Sequence, residues 1–119
     1  MNNIACIVVT YNRLELLKQC INALLHQSFN NFDIIVVNNG STDGTEKWLK
    51  ENPQIKFFTQ ENLGGAGGFH NGIKYAYQSG YDYFWIMDDD GISDRFCLEK
   101  LISVAKQGSQ SVSYTHLRA

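Results

Sequence analysis

Asp88, Asp89 and Asp90 follow the apolar run 83–87 and directly precede Gly91. Carboxylates set this close repel one another unless a cation sits among them. Oxygen-only ligands favour Mg²⁺ or Mn²⁺ over zinc or copper, and such a cation could in turn hold a diphosphate. The same residues would also suit a solvated acidic turn. A second group is Gly64, Gly65, Ala66, Gly67 and Gly68. Backbone without side chains lets a sugar or diphosphate come close, and the helix that follows offers free N–H groups. The alternative is a flexible surface loop. Asn38 is a third candidate: its amide oxygen can accept from the N3–H of uracil or thymine, and its NH₂ can donate to a neighbouring carbonyl. Asn38 and Asn39 could equally be turn residues that close a strand. Tyr11 suits stacking on a base or packing at a strand end, and Arg13 suits pairing with a phosphate or plain solvation.

These groups depend on the elements that carry them. Residues 4–9 form an apolar, β-branched run that predicts a buried strand. Asn12 stands three residues before Glu15, the spacing of an N-cap with a reciprocal partner, and apolar residues then recur at helical spacing to about His26. A second strand is expected near 33–37, and Ser41, Thr42 and Asp43 can cap a short helix after it. A third strand is expected at 55–58, a glycine-rich loop at 62–72 with a helix growing from it, and a fourth strand at 83–87. Ser93 opens a last helix with Phe96, Leu98, Leu101 and Ile102. The alternating order predicts an α/β fold, a mostly parallel sheet with helices on both faces. Right-handed crossovers then bring every polar group to one edge of that sheet.

Composition excludes several classes of function. The chain has 119 residues and a net charge of −2, with no run of Lys or Arg, so nucleic acid is not an expected partner. Three widely spaced cysteines and three scattered histidines give no zinc pattern. No stretch reads as a signal peptide or a transmembrane segment, and a reducing cytoplasm is the simplest compartment. The glycines do not form a dinucleotide fingerprint, because they follow the third strand, nor a P-loop, because Ile73 follows Gly72. An EF-hand would need acids at Ile86 and Cys97.

Four segments, 8–13, 36–45, 62–69 and 87–90, resemble family 2 glycosyltransferases and occur in that family's order. The glycine stretch together with the three aspartates is most similar to the rhamnosyl- and galactofuranosyltransferases of the family. The resemblance implies a GT-A fold, Rossmann-like in its nucleotide-sugar-binding half. It implies an inverting transfer from a UDP- or dTDP-sugar donor to a glycan or lipid-linked acceptor, as in cell-envelope polysaccharide synthesis. Thr10, Tyr11 and Arg13 would then surround the nucleoside and Asn38 would read the base. Gly65, Ala66 and Gly67 would approach the donor. Asp88 and Asp90 would hold Mn²⁺ or Mg²⁺, with Asp89 near the sugar.

Asn38 stands where many members carry Asp. Residues 1–107 are expected to be an incomplete donor-binding domain, at the cytoplasmic face of the membrane in a longer protein. The general base and acceptor half would lie elsewhere, and residues 108–119 read as an irregular tail, truncated or foreign. A nucleotide-sugar-binding module without turnover and a nucleotidyltransferase are the rival readings. The second would want a glycine-rich loop after the first strand, where Thr10, Tyr11 and Asn12 stand.

Overall fold

The apolar runs become the strands of one parallel sheet. A computed structural model of the chain describes residues 4–91, 94–108 and 113–115. In chain order the elements are β1 (Ile4–Thr10), α1 (Leu14–Leu25), β2 (Asp33–Asn38), α2 (Thr45–Lys50) and β3 (Lys56–Thr59). There follow α3 (Gly64–Gln78), β4 (Tyr83–Asp88), α4 (Cys97–Gly108) and β5 (Ser113–Thr115). The strands lie in the order β3-β2-β1-β4-β5, and each neighbouring pair is parallel. This is the expected α/β architecture.

Alternate residues of each strand serve opposite faces, as the period of a strand requires. Cys6 and Val8 of β1 join Val36, Trp85 and Met87 against Leu17, Ile21 and Leu24 of α1 and Leu98 of α4. Ala5 and Ile7 join Ile35, Val37 and Phe84 on the other face, which α3 covers through Ala76. Cys6 and Cys20 are buried free thiols, and burial pushes Cys20 up to about 12.

The glycine-rich stretch is the main correction. It is expected as a loop, yet Gly64 to Gly72 already belong to α3. Gly68, Gly72 and Ala76 recur every four residues and are all buried. A Cβ on Gly68 would lie 2.6 Å from Val9 Cγ1, and one on Gly72 would lie 2.6 Å from Ile7 Cγ2. Those methyl groups fill the space that a side chain would need, so the helix lies close upon the sheet.

The start of α1 also differs from expectation. Asn12 has φ of 51° and makes no cap for α1; its Oδ1 accepts the N–H of Thr42 at 2.6 Å. Asp43 supplies the missing acceptor, with Oδ2 3.1 Å from the N–H of Leu14. Its Oδ1 takes the N–H and the hydroxyl of Thr45 at the head of α2. Phe96, half-exposed, precedes α4 instead of lying in it, and Ser93 falls outside the described residues. Of the tail expected to be irregular, Gly108 ends α4 and Ser113–Thr115 pair with β4. The remaining tail residues, 109–112 and 116–119, lie outside the description.

Candidate functional site

The register of β1 sets the geometry of the site. Thr10 pairs with Asn38 of β2, and Val9 pairs with Asp88 of β4, so three strands end side by side. A crevice of about 330 Å³ opens at this carboxyl edge. Thr10, Tyr11 and Arg13 line it from the end of β1, and Asp88 and Asp89 from the end of β4. Gly64, Gly65 and Phe69 of α3 form another wall, with Asn39 and Asn62 beside them.

Asp89 is only 6% exposed. Its Oδ2 accepts the Thr10 hydroxyl at 3.0 Å, and its Oδ1 lies 3.4 Å from Arg13 Nη1. Burial pushes its carboxyl above the usual range, and the charges of Asp90 and Asp88 add to that rise. The Thr10 hydrogen bond and the Arg13 charge pull the other way without cancelling it. Asp89 thereby anchors Arg13, which is itself half-exposed over the crevice.

Asp88 and Asp90 are exposed on either side of Asp89. The Gly91 N–H closes their turn on the Asp88 carbonyl at 3.0 Å. Asp90 is not among the lining residues. Among the described residues no cluster of three or more His, Cys, Asp or Glu side chains forms a closed metal cage. That donor set still fits Mg²⁺ or Mn²⁺, which are held by one or two carboxylates plus substrate phosphates in place of an all-protein cage.

The sequence candidates divide on inspection. Thr10, Tyr11, Arg13, Gly65, Asp88 and Asp89 meet at the crevice; Asn38, Ala66 and Gly67 do not line it. Asn38 is fully buried, with its Nδ2 donating to Thr59 Oγ1 at 3.2 Å and its Oδ1 accepting the Ser41 N–H at 3.2 Å. Its carboxamide ties β2 to its neighbours. A Cβ on Gly67 would meet Leu63 at 2.7 Å, within the helix and its lead-in.

Gly64, part of the glycine group singled out by sequence, lines the crevice too, and Asn39, Asn62 and Phe69 line it without having been named as site residues. One signal for Asn39 was available: it is the first residue past β2, and its N–H bonds the Thr10 carbonyl at 2.9 Å. Asn62 Oδ1 accepts the Gly64 N–H at 2.9 Å, an asparagine turn that opens α3.

Residues 5–119 match the model of glycosyl transferase family 2. The chain belongs to glycosyltransferase family 2. It is 34% identical over 105 residues to galactofuranosyltransferase GlfT1 of Mycolicibacterium smegmatis, a match covering 86% of this chain and 35% of that protein. The chain thus spans about a third of that relative. Among solved structures it resembles Staphylococcus aureus TarS 1-349 in complex with UDP-GlcNAc, with a TM-score of 0.73 and 22% identity. That match covers 90% of this chain and 32% of the other. It also resembles the mannosyltransferase PcManGT from Pyrobaculum calidifontis in complex with GDP-Man and Mn²⁺, with a TM-score of 0.66 and 23% identity. There the match covers 83% of this chain and 31% of the other. The fold is that of the GT-A glycosyltransferases. In this family 2 chain no helix of the described residues is long and apolar enough to cross a membrane.

Proposed function

We propose that the crevice binds a UDP- or dTDP-sugar, the donor for an inverting transfer to a glycan or lipid-linked acceptor. The observation that carries this reading is the meeting of Tyr11, Arg13, Asn39, Gly65 and Asp88 around one crevice at the carboxyl edge of the sheet. Ligands of open α/β sheets bind at that edge. The similar proteins support it too: a galactofuranosyltransferase among the relatives, and neighbours bound to UDP-GlcNAc and GDP-Man.

In this reading Tyr11, 46% exposed at the rim, offers its ring to the base. Asn39 takes the place beside the nucleoside that sequence reasoning gave to Asn38. Arg13, held by Asp89, faces the diphosphate with its positive charge, and Gly65 leaves room for the sugar. In an inverting transfer the acceptor oxygen attacks the anomeric carbon as the bond to the diphosphate breaks. The bonding pair leaves with the diphosphate, and the acceptor proton passes to a base. Asp88 and Asp90 are the proposed holders of Mn²⁺ or Mg²⁺, which supplies positive charge to the diphosphate when bound.

Titration of the chain with UDP, with and without MnCl₂, tests this. Binding is expected to depend on the metal. Asp88→Asn is expected to weaken it about tenfold or more, the usual effect of losing a charged partner. Equal affinity with metal, without metal and in the variant would remove the metal role from the three aspartates.

A further inference from the structure

The crevice wall at Asn39 and Gly64 is held by amides that lie outside the crevice. Asn39 Oδ1 accepts two N–H groups, from Leu63 at 3.2 Å and from Gln60 Nε2 at 2.9 Å. Its Nδ2 donates to the Gly64 carbonyl at 3.0 Å. Gln60 Oε1 in turn accepts Asn71 Nδ2 at 2.9 Å.

The direction of this chain of bonds is fixed by chemistry. A backbone N–H can only donate and a backbone carbonyl can only accept. Leu63 and Gly64 therefore determine which end of the Asn39 amide faces which way. With the Asn39 oxygen so placed, Gln60 must present its nitrogen to it and its oxygen to Asn71. Asn71 must then donate. Turning any one amide over sets oxygen against oxygen or nitrogen against nitrogen, and the backbone ends cannot adapt.

We propose that Gln60 and Asn71 are positioning residues, a relay that orients Asn39 and seats the first turn of α3 at the crevice. The relay saturates the Asn39 oxygen, so the group that Asn39 can still offer is its second N–H. A ligand atom facing Asn39 would be an acceptor, such as a carbonyl oxygen of a base. This last step rests on the donor-binding reading above; the relay itself does not. Asn71 lies in the second turn of α3 and lines a separate cleft of about 210 Å³ with Phe58 and Tyr75. It acts on the crevice only through Gln60.

The test uses the ¹⁵N-labelled chain and reads hydrogen exchange at individual side-chain NH₂ groups by NMR. Asn38 is the internal control, because Thr59 and Ser41 hold its amide independently of the relay. Asn71→Ala is expected to speed exchange at the Asn39 NH₂ about fivefold, the effect of one hydrogen bond, with Asn38 unchanged. Asn71→Asp keeps the shape but sets an acceptor against the Gln60 oxygen. It is expected to speed exchange at Asn39 more than Ala does. A packing role predicts the reverse order, since Asp replaces Asn almost atom for atom. Should the Asp variant fail to fold, the Ala variant decides alone.

Affinity for UDP with MnCl₂ is read on Asn71→Ala only, because the charge of Asp would itself repel a diphosphate. A loss of about threefold to tenfold is expected. Unchanged exchange at Asn39, or exchange rising in parallel at Asn38, overturns the relay. Failure of the unaltered chain to bind UDP would sink the donor reading and leave the exchange measurement to decide the relay.

Discussion

Asp89 is 6% exposed, beside Asp88 and Asp90, with the Thr10 hydroxyl and the Arg13 guanidinium against its carboxylate. Burial raises its carboxyl in the folded chain. A raised carboxyl favours folding below its unfolded value and gives up that advantage as pH rises through the folded value. Near neutral pH the ionised group therefore opposes folding. Asp89→Asn keeps an acceptor for Thr10 and removes the charge. The variant is expected to melt at a higher temperature than the unaltered chain at pH 7. The gap should close as acid protonates Asp89 in both states, while UDP binding weakens because Arg13 loses its anchor. Melting curves at pH 7 and pH 4 read this out; a lower Tm at pH 7 would show that the Arg13 pair outweighs burial. The asparagines give a second lesson at this scale. Asn38 and Asn39 are chemically identical neighbours, and only the pairing of Thr10 with Asn38 decides which of them ends inside the sheet. That register is a property of two strands, so residue type alone could not separate them.

At the scale of elements, α3 shows where sequence reasoning ran out. Glycine is a poor helix former, by about 1 kcal/mol per residue against alanine, and five small residues in a row therefore read as a loop. Contact with Val9 and Ile7 overrides that preference, because only glycine fits beneath those methyl groups. The spacing of Gly68, Gly72 and Ala76 was visible, but its meaning depends on a partner surface some sixty residues away in the chain. The glycines consequently separate into two kinds. A Cβ on Gly65 would meet nothing within 4 Å, whereas one on Gly68 would collide with Val9. Gly65→Val is expected to leave the melting temperature nearly unchanged and block UDP binding. Gly68→Val is expected to destabilise by about 1–3 kcal/mol, the cost of overpacking. Circular dichroism melts with parallel UDP titrations separate the two.

The capping of α1 has a similar history, since a local pattern at Asn12 lost to Asp43, a residue of another loop. Burial alone would raise the Asp43 carboxyl, but hydrogen bonds from Thr45 and Leu14 outweigh it and hold it below its ordinary value. Its contribution is present above the unfolded value and is lost as pH falls through the depressed folded one. Asp43→Ala should cost about 1–2 kcal/mol near neutral pH, the range of a lost cap. Denaturant unfolding at pH 7 and again in acid should show that difference shrinking.

For the whole molecule, legibility was greatest where the physics is coarse. The apolar runs gave the strands, their alternation with helices gave a parallel sheet, and handed crossovers placed the polar loops on one edge. The crevice found there brings together six of the expected residues. Among the described residues its lining carboxylates are Asp88 and Asp89, and no histidine lines it. Asp89 is committed to Thr10 and Arg13, and Asp88 is the proposed metal holder, so neither is placed to take a proton from an acceptor. Incubated with UDP-sugars, MnCl₂ and a panel of glycan acceptors, this chain is expected to give at most slow donor hydrolysis. Rapid transfer, lost in Asp89→Asn even at saturating UDP-sugar with the fold intact, would show that the base lies inside the crevice after all.

The small-residue face of α3 has a mechanical consequence. The methyl groups of Val9 and Ile7 occupy the two hollows above Gly68 and Gly72 like pegs. A helix pegged at two points one turn apart can neither slide along its axis nor roll. The turn ahead of the first peg, Gly64 to Gly67, has no peg from the sheet and is held at its start by the Asn39 amide, and its Gly64 and Gly65 border the crevice. Adjustment of α3 to a bound ligand is therefore expected in that first turn, and only as far as the Asn39 amide that holds Gly64 and Leu63 gives way.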